Sequence, residues 1–283
     1  PIAFSDAFLS YRLPIIKLHN LGDMRLEVFR RINQGGTPLS AQDIRMAYYG
    51  LNSPSVAFIR LAGIHDPMRP SSLRFFKSAK ERHSLEYPWN GRALKSWTEW
   101  WGEKETAKGQ KPSEMFLWSL ITAQVAELDA VLQDKSTMAA LRLPYADSVD
   151  EALDVYCAQS QLEDSRSVKK RRLMSVSDIS TRFFPHFQAF MDRVLRGARP
   201  DVRKSRVIAN MIAATFKANE TPEKISSGKW QHMMEFIESQ RAGALALKVA
   251  WPEPKGRWGG KSGTKQQMLA AVQVWDAIGR KTG

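Results

Sequence analysis

Apolar residues recur with a helical period over most of this chain. One short run near the start, Leu13-Pro14-Ile15-Ile16-Lys17-Leu18, is rich in β-branched residues and predicts a buried strand. From Asp23 onward the spacing becomes helical, as shown by Leu26, Phe29 and Ile32. Further helices are predicted over 115–132, 148–164, 178–196, 201–217, 229–248 and 264–279. The pattern therefore predicts an α+β chain that is predominantly α-helical.

Glycine, serine and proline mark where the first helices end and begin. Gly35-Gly36 is predicted to end the helix that starts near Asp23, because glycine adopts the left-handed conformation favoured after a helix. Ser40 is predicted to cap the next helix, with Asp43 near its N3 position. Ser53-Pro54 is predicted to begin a third helix, since proline suits the first helical turn.

Composition indicates a folded core and a basic surface. Hydrophobic residues make up 43% of the 283 residues and charged residues 25%, close to globular averages. Lys and Arg total 42 against 29 Asp and Glu, giving a net charge of +13 and a pI of about 9.9. A polyanion is the natural partner, because neutralised phosphates release counterions. Simple solubility and acidic protein partners stay open as alternatives.

Several classes of protein and site do not fit the sequence. Cys157 is the only cysteine, which excludes an intrachain disulfide and Cys-rich zinc patterns, and its apolar neighbours predict a buried position. The five histidines are scattered without metal-ligand spacing, so no metal site is predicted. No signal peptide and no apolar run of membrane-spanning length is visible. We therefore expect a cytoplasmic protein without a membrane partner.

The strongest motif is a helix that ends in Asn-x-Gly-Gly, followed by a tight turn and a capped helix. It runs from Phe29 to Ser40 and continues through Asp43-Ile44-Arg45. Free N–H groups at the start of the second helix attract a phosphate or carboxylate, and two arginines supply charge beside them. The residues predicted to lie near a nucleotide or phosphate are Arg31, Asn33, Gly35, Gly36, Ser40 and Arg45. A purely structural helix–turn–helix corner is the alternative.

This motif resembles the second signature of the ParB/sulfiredoxin-like domain at the N-terminus of GmrSD-type restriction proteins. The resemblance is specific over about residues 10–50, includes the predicted strand, and continues more weakly over 109–118. It implies anti-phage or modified-DNA restriction in which nucleotide hydrolysis governs DNA binding or cleavage. It also suggests two domains, with residues 1–62 ending the ParB-like domain and 63–283 forming a helical, basic, nucleic-acid-binding domain.

The chain departs from that family where catalysis is concerned. It lacks the Asp-Gly-Gln-Gln-Arg motif to which the nucleotide chemistry is attributed, and it lacks a His-Asn-His-like nuclease module. We therefore assign no catalytic residue and no cofactor to this chain. NTP and Mg²⁺ are expected only in a complete protein, and whether the chain is itself an enzyme stays open. Since the chain starts at Pro1 without Met, we expect the missing motif before Pro1 or in another subunit.

Basic segments supply a second set of candidates. The loop 256–262 ends like a P-loop, but Lys255 stands where the first P-loop glycine is required, so backbone contact with nucleic acid is the favoured interpretation. The run 169–172 has the densest charge, and a solvated helix end is its alternative explanation. The predicted nucleic-acid-binding residues are Lys169, Lys170, Arg171, Arg172, Arg203, Lys204, Arg206, Lys255, Arg257 and Lys261.

Taken together, these features predict the DNA-engaging portion of a GmrSD-like defence protein. Its partners would be double-stranded DNA, with modified DNA as one form of it, and further copies of itself or other subunits of a defence complex. The alternative is a non-enzymatic interaction module whose protein interface is the aromatic-rich segment 89–118. The tryptophans of that segment are otherwise expected to pack between helices as core residues; they are Trp97, Trp100, Trp101 and Trp118.

Overall fold

Most of the residues that the structure describes lie in helices. The computed structural model describes residues 40–49, 53–62, 64, 96–97, 99–101, 112–133, 135, 148–158, 173–197, 199–252 and 265–282. All of them belong to one compact unit, Leu39–Gly283. These ranges contain no β-strand, which confirms the predominantly helical prediction. The strand predicted at 13–18 and the helix predicted from Asp23 lie outside them, and the domain boundary after residue 62 stays a prediction.

The α-helices of the described ranges are numbered here in chain order. They are α1 (Ala41–Tyr49), α2 (Pro54–Leu61), α3 (Pro112–Ala123), α4 (Val125–Gln133), α5 (Val149–Cys157), α6 (Phe184–Arg196), α7 (Ser205–Lys217), α8 (Ser227–Ser239), α9 (Arg241–Ala246) and α10 (Lys265–Thr282). A short α-turn, Val176–Asp178, and a π-helical segment, Ile179–Phe183, lead into α6. Two 3₁₀ turns, Val202–Lys204 and Pro222–Lys224, precede α7 and α8.

The predicted helix starts are confirmed. Ser40 caps α1: its Oγ accepts the Asp43 backbone N–H at 3.1 Å and donates to the Asp43 carboxylate at 2.6 Å. Ser53 precedes Pro54 at the start of α2. Ser148 caps α5 in the same way, in a full capping box with Glu151. These ends were predictable because the capping side chain and its partner are only three residues apart.

The prediction of a single helix over 115–132 is wrong, because the chain bends by 82° between α3 and α4. Gln124 stands at the bend, and its buried amide bonds to the Tyr156 hydroxyl at 2.6 Å and to the Met174 backbone N–H at 2.7 Å. The Thr122 hydroxyl also donates back to the Trp118 carbonyl at 2.8 Å, a bond that bends helices. The first cause depends on residues far along the chain, and the second is a local polar bond. The spacing of apolar residues reveals neither.

None of the described helices is long and apolar enough to cross a membrane on its own. Together α3 and α4 reach the necessary length and apolar composition, but as a pair bent by 82°.

The helix predicted over 229–248 is also divided, into α8 and α9. The backbone turns at Gln240, where φ is 39°. A Cβ at Gly243 would stand 3.1 Å from the Phe236 Cα and 2.8 Å from the Ser239 Oγ, so a glycine lets α9 fold back onto α8. The helices predicted at 178–196, 201–217 and 264–279 are confirmed with ends shifted by a few residues, although a π-helical segment interrupts the first.

Helix α7 occupies the centre of the fold. It packs against α3 more extensively than any other described pair of elements does, and also against α6, α8 and α10. Ala209 and Ala213, both fully buried, let the neighbouring helices approach closely. Asn210 sits in this interface, where its Oδ1 accepts from the Trp118 Nε1–H at 2.8 Å and shares the Thr122 hydroxyl proton, at 3.1 Å, with the Trp118 carbonyl. A buried polar network thus sets how α3 and α7 align.

Three tryptophans before α3 pack into the same core, as predicted. Trp97, Trp100 and Trp101 are at most 8% exposed, and their ring centroids lie 5.3–6.1 Å apart. Trp97 also meets the edge of Phe187 at 5.5 Å, and the Trp100 indole N–H donates to the Pro200 carbonyl at 2.8 Å. These rings contribute packing to the fold and are not presented to a partner.

The network around Asn210 generates a stability prediction. Asn210→Ala is expected to lower the free energy of unfolding by about 2–4 kcal/mol, because it opens a cavity and strands the buried Trp118 N–H. Thr122→Val keeps the volume and the Trp118 bond, and should cost less than about 1.5 kcal/mol. Urea denaturation of both variants measures the difference, and equal losses would rule out the Trp118–Asn210 bond as the dominant contact.

Candidate functional site

The structure describes two of the six residues predicted near a nucleotide. Ser40 is half-buried at the start of α1, with its hydroxyl bonded to Asp43. Arg45 lies one turn further on. The other four, Arg31, Asn33, Gly35 and Gly36, lie outside the described part of the chain.

Arg45 is buried, with 1% of its surface exposed. Its Nε donates to the Asp154 carboxylate at 2.8 Å, its Nη2 to the Asp150 carboxylate at 3.0 Å, and its Nη1 to the Gln42 amide oxygen at 2.7 Å. The Gln42 amide in turn donates to the Ser113 hydroxyl at 3.1 Å. This arrangement, called the Arg45 cluster below, joins α1 to α5 and to the start of α3.

The Arg45 cluster compensates the arginine's charge inside the fold. Burial by itself lowers the pKa of Arg45, but the carboxylates of Asp154 and Asp150 outweigh it and the pKa is raised. The guanidinium therefore remains charged, and all three of its nitrogens are engaged. In the described contacts Arg45 anchors α1 to α5, and its role beside a nucleotide stays a prediction.

Cys157, at the end of α5, is buried as predicted. Burial raises the pKa of its thiol to about 12; Arg45 lowers this pKa and Asp154 raises it, both by less than burial does. The Ser55 hydroxyl lies 3.9 Å from the sulfur. A protonated, inaccessible thiol is a packing group and not a nucleophile.

Positive charge is distributed very unevenly along the chain. The described residues contain 18 Lys and Arg against 16 Asp and Glu, a net +2. The remaining residues contain 24 against 13, and so hold +11 of the total of +13. The described residues are therefore nearly neutral, and most of the excess charge belongs to residues outside the described ranges.

Three predicted nucleic-acid-binding residues lie near the start of α7, and each already has an intramolecular contact. Arg203 is exposed and pairs with Asp201 at 2.7 Å. Lys204 donates to the Glu238 carbonyl at 2.8 Å. Arg206 is mostly buried, pairs with Glu114 at 2.6 Å and lies 5.1 Å from the Trp118 ring. These three residues lie close together in the sequence and in the fold, but the side chain of Arg206 is already engaged in contacts within the protein.

The other seven predicted contacts lie in two stretches outside the described ranges, called the first basic segment (159–172) and the second basic segment (253–264). The residues that flank the first basic segment meet at one side chain. The Gln124 amide nitrogen donates to Tyr156 at 2.6 Å and the amide oxygen accepts from the Met174 N–H at 2.7 Å. Both ends of this segment are therefore held where α4 begins.

The residues that flank the second basic segment also meet. The Gln267 amide donates to the Pro252 carbonyl at 3.1 Å, which joins the two ends. The Lys265 ammonium pairs with the carboxylate of Asp129, on α4. Because Gln124 and Asp129 are five residues apart, the two basic segments are rooted about 8 Å apart along one short helix.

A cleft of about 760 Å³ opens between α6 and the turn after α7. His186 lines it with one face, while its Nε2 lies 3.2 Å from the Ile212 carbonyl and 2.9 Å from the Thr215 hydroxyl. A carbonyl can only accept, so Nε2 carries the proton and Nδ1 keeps a lone pair. Burial lowers the pKa of His186 to about 4, against a small opposing effect of Glu223, so the ring is neutral at pH 7.

Sequence reasoning missed this cleft, because it treated His186 as one of five scattered histidines. The sequence offered one indication. Because α6 is strongly amphipathic, one side of it must face away from the core, and Pro185 and His186 were candidates for that side. The partners that fix the tautomer, Ile212 and Thr215, come from another helix and could not be read locally. Within the described ranges, no group of three His, Cys, Asp or Glu side chains could hold a metal ion.

Comparison with known proteins adds no relative. No protein-family model matches the chain, and no curated protein or solved structure matches it significantly.

The Arg45 cluster generates a prediction with a built-in control. Asp154→Ala removes the buried partner, which is 5% exposed, and should cost about 3–5 kcal/mol of folding free energy because it leaves a buried charge poorly compensated. Asp150→Ala removes the partner that is 63% exposed and should cost less than about 1 kcal/mol. Chemical denaturation distinguishes them, and similar losses would mean that the cluster does not depend on burial.

His186 generates a pH prediction. The unfolded imidazole has a pKa near 6.5 and the folded one near 4, so between these values the unfolded state binds the extra proton. Folding stability from this group is therefore complete above pH 6.5 and falls as the pH drops toward 4, by up to about 3 kcal/mol.

His186→Gln should flatten this part of the stability profile, measured by urea denaturation at pH 4.5 and pH 7. His232→Gln is the matched control, because His232 lies on the surface of α8 beside Glu235. An unchanged pH profile in His186→Gln would contradict the assignment.

Proposed function

We propose that this chain binds nucleic acid through its two basic segments, whose flanking residues contact Gln124 and Asp129. The observation that carries the proposal is the uneven distribution of charge. The described residues hold a net +2, while the residues outside the described ranges hold +11. The first basic segment alone has five Lys and Arg against two Asp and Glu, and the second has three against one.

This distribution favours a polyanion over simple solubility. A chain that needs charge only to stay in solution can spread it over all exposed helix faces, and both signs serve. Here the exposed helix faces are balanced, with pairs such as Arg182–Asp178, Arg196–Asp192 and Arg203–Asp201. The two basic segments hold +5 of the +11 in 26 residues, and such unbalanced cations suit phosphate contact because each phosphate neutralised releases counterions.

The position of the two roots supports joint use of the segments. A separation of about 8 Å along α4 corresponds to the rise of two to three base pairs at about 3.4 Å each. Two segments that leave the core so close together can reach one short stretch of duplex. Contacts of this kind supply affinity and register without reading the base sequence.

Duplex DNA is the polyanion we propose, on the resemblance of residues 29–45 to the GmrSD-type motif. In that proposal the chain is the DNA-engaging portion of a defence protein, and nucleotide-regulated chemistry belongs to residues or subunits outside it. Ser40 and Arg45 support a stable end to the motif, since both are engaged within the described fold.

A non-enzymatic interaction module is the second candidate function, but the main residues of its predicted interface are buried. Trp97, Trp100, Trp101 and Trp118 are buried in the core and cannot meet a partner without unfolding. That proposal now depends on the parts of 89–118 that lie outside the described ranges.

The decisive measurement is binding of the chain to duplex DNA across a salt series, with plain DNA and with DNA containing 5-hydroxymethylcytosine. Replacing Lys169, Lys170, Arg171 and Arg172 with Gln should weaken binding and flatten the slope of log K against log salt by up to about 3.6. Replacing Lys255, Arg257 and Lys261 should flatten it by up to about 2.7.

The matched control replaces three exposed cations elsewhere, Lys224, Arg280 and Lys281, which removes the same charge as the second variant. It should leave the slope nearly unchanged. If the control flattens the slope as much as the triple variant does, binding follows net charge alone. If the chain shows no salt-sensitive binding to DNA, or binds single-stranded RNA in its place, the DNA proposal is abandoned.

A further inference from the structure

We propose that the cleft between α6 and the turn after α7 is a binding site for a small, flat organic anion that carries an N–H or O–H donor. The site is independent of the proposed nucleic-acid contacts. It combines a fixed hydrogen-bond acceptor, two cationic side chains and an apolar floor in one cavity. Its volume of about 760 Å³ lies in the usual range for pockets that take small ligands.

The acceptor is Nδ1 of His186. The Ile212 carbonyl and the Thr215 hydroxyl hold the protonated Nε2 toward the core, and the Phe216 ring meets the imidazole edge-on at 5.4 Å. Nδ1 has no partner among the described residues and is the nitrogen left to the cleft. Because the ring stays neutral across the physiological range, this lone pair accepts a hydrogen bond there at any pH above about 6.

The cations of the lining are Arg182 and Lys217. Arg182 belongs to the π-helical segment Ile179–Phe183, an irregularity that proteins commonly retain at functional sites. Its side chain is 67% exposed and forms a long ion pair of 3.9 Å with Asp178. Lys217 is exposed and has no ion pair within the described residues. Lys217 is therefore available to an anionic ligand group, and Arg182 can join it because an exposed ion pair of this kind is weak.

The cleft also contains two acidic residues. Both carboxylate oxygens of Glu220 accept from the Lys229 ammonium, at 3.2 and 3.3 Å, and one also accepts from the Trp275 indole N–H at 3.2 Å. Glu220 is thus already paired with α8. Glu223 is exposed, so the lining carries two cationic and two acidic side chains.

The far wall is built before any ligand arrives. Asn219 ends α7 with a φ of 55°, and the next N–H, that of Glu220, returns to the Thr215 carbonyl at 3.1 Å. Arg193 donates to the Ile225 carbonyl at 2.7 Å and lies 4.2 Å from the Trp230 ring. A wall held by these contacts loses little entropy on binding, which favours affinity for a rigid ligand.

These groups define the ligand by chemistry. An N–H or O–H donor meets His186, a carboxylate or phosphate meets Arg182 and Lys217, and a flat apolar body rests on Pro185, Phe216 and Pro222. Orotate and uridine 5′-monophosphate share a planar donor-bearing ring and differ in their anion, so they serve as probes for the two anion classes. Uridine lacks the charge, and benzoate lacks the donor.

Isothermal titration of the four probes tests the proposal. Orotate or uridine 5′-monophosphate should bind at least roughly tenfold more tightly than uridine and benzoate. His186→Phe, which keeps a ring in place, should weaken the better probe about tenfold. Arg182→Ala with Lys217→Ala should bring its affinity down to that of uridine. Lys224→Ala removes a neighbouring exposed cation outside the cleft and should change nothing.

Absence of millimolar binding by either anion would overturn the proposal, as would full retention of affinity in His186→Phe. Circular dichroism and the urea midpoint of His186→Phe establish that the variant is folded. Should it be unfolded, the arginine–lysine pair variant decides the question, since both side chains are exposed and their loss leaves the core intact. Failure of this site would leave the DNA-binding proposal untouched, because the basic segments are not part of the cleft.

Discussion

A single buried amide, that of Gln124, joins the parts of the fold on which the proposed DNA binding depends. It interrupts the most apolar helical stretch of the chain and turns α4 by 82° away from α3. It also bonds to Tyr156 at the end of α5 and to Met174 before α6. A buried amide left without partners costs about 1–3 kcal/mol, so the bend and both bonds stabilise one another. This contact therefore fixes the residues that flank the first basic segment next to the start of α4.

The charge distribution changes how the high pI of the chain is interpreted. A net charge of +13 over 283 residues suggests a uniformly basic surface, and only the position of the helices shows that the core holds almost none of the excess. Near the start of α7, Arg203 and Arg206 each face a carboxylate, which lowers the field that a phosphate would meet. The two basic segments hold +5 of the excess. Because the residues that flank them contact Gln124 and Asp129, the proposal assigns this charge to one region of the fold.

The sequence predicted the helices well where the information was local, and poorly where it was distant. Caps such as Ser40 with Asp43 lie within one turn, and apolar periods reveal most helices without any partner. The bend at Gln124 and the turn at Gln240 depend on contacts across the fold, so the helices around them were predicted as continuous. Arg45 shows the same limit. A helix start with an arginine suggested an anion site, but its carboxylate partners come from α5, more than 100 residues later.

The two proposed sites differ in how they respond to salt, and that follows from their construction. Phosphate contacts through exposed cations weaken steeply as salt rises, because the counterions released are worth less. In the cleft, His186 contributes a neutral hydrogen bond inside a partly enclosed cavity, which salt hardly screens. The anionic group of a ligand would meet Arg182 and Lys217, which are both exposed, so this part of the affinity weakens as salt rises while the His186 bond does not. Salt therefore reduces binding in the cleft only in part, whereas it reduces binding through the basic segments steeply.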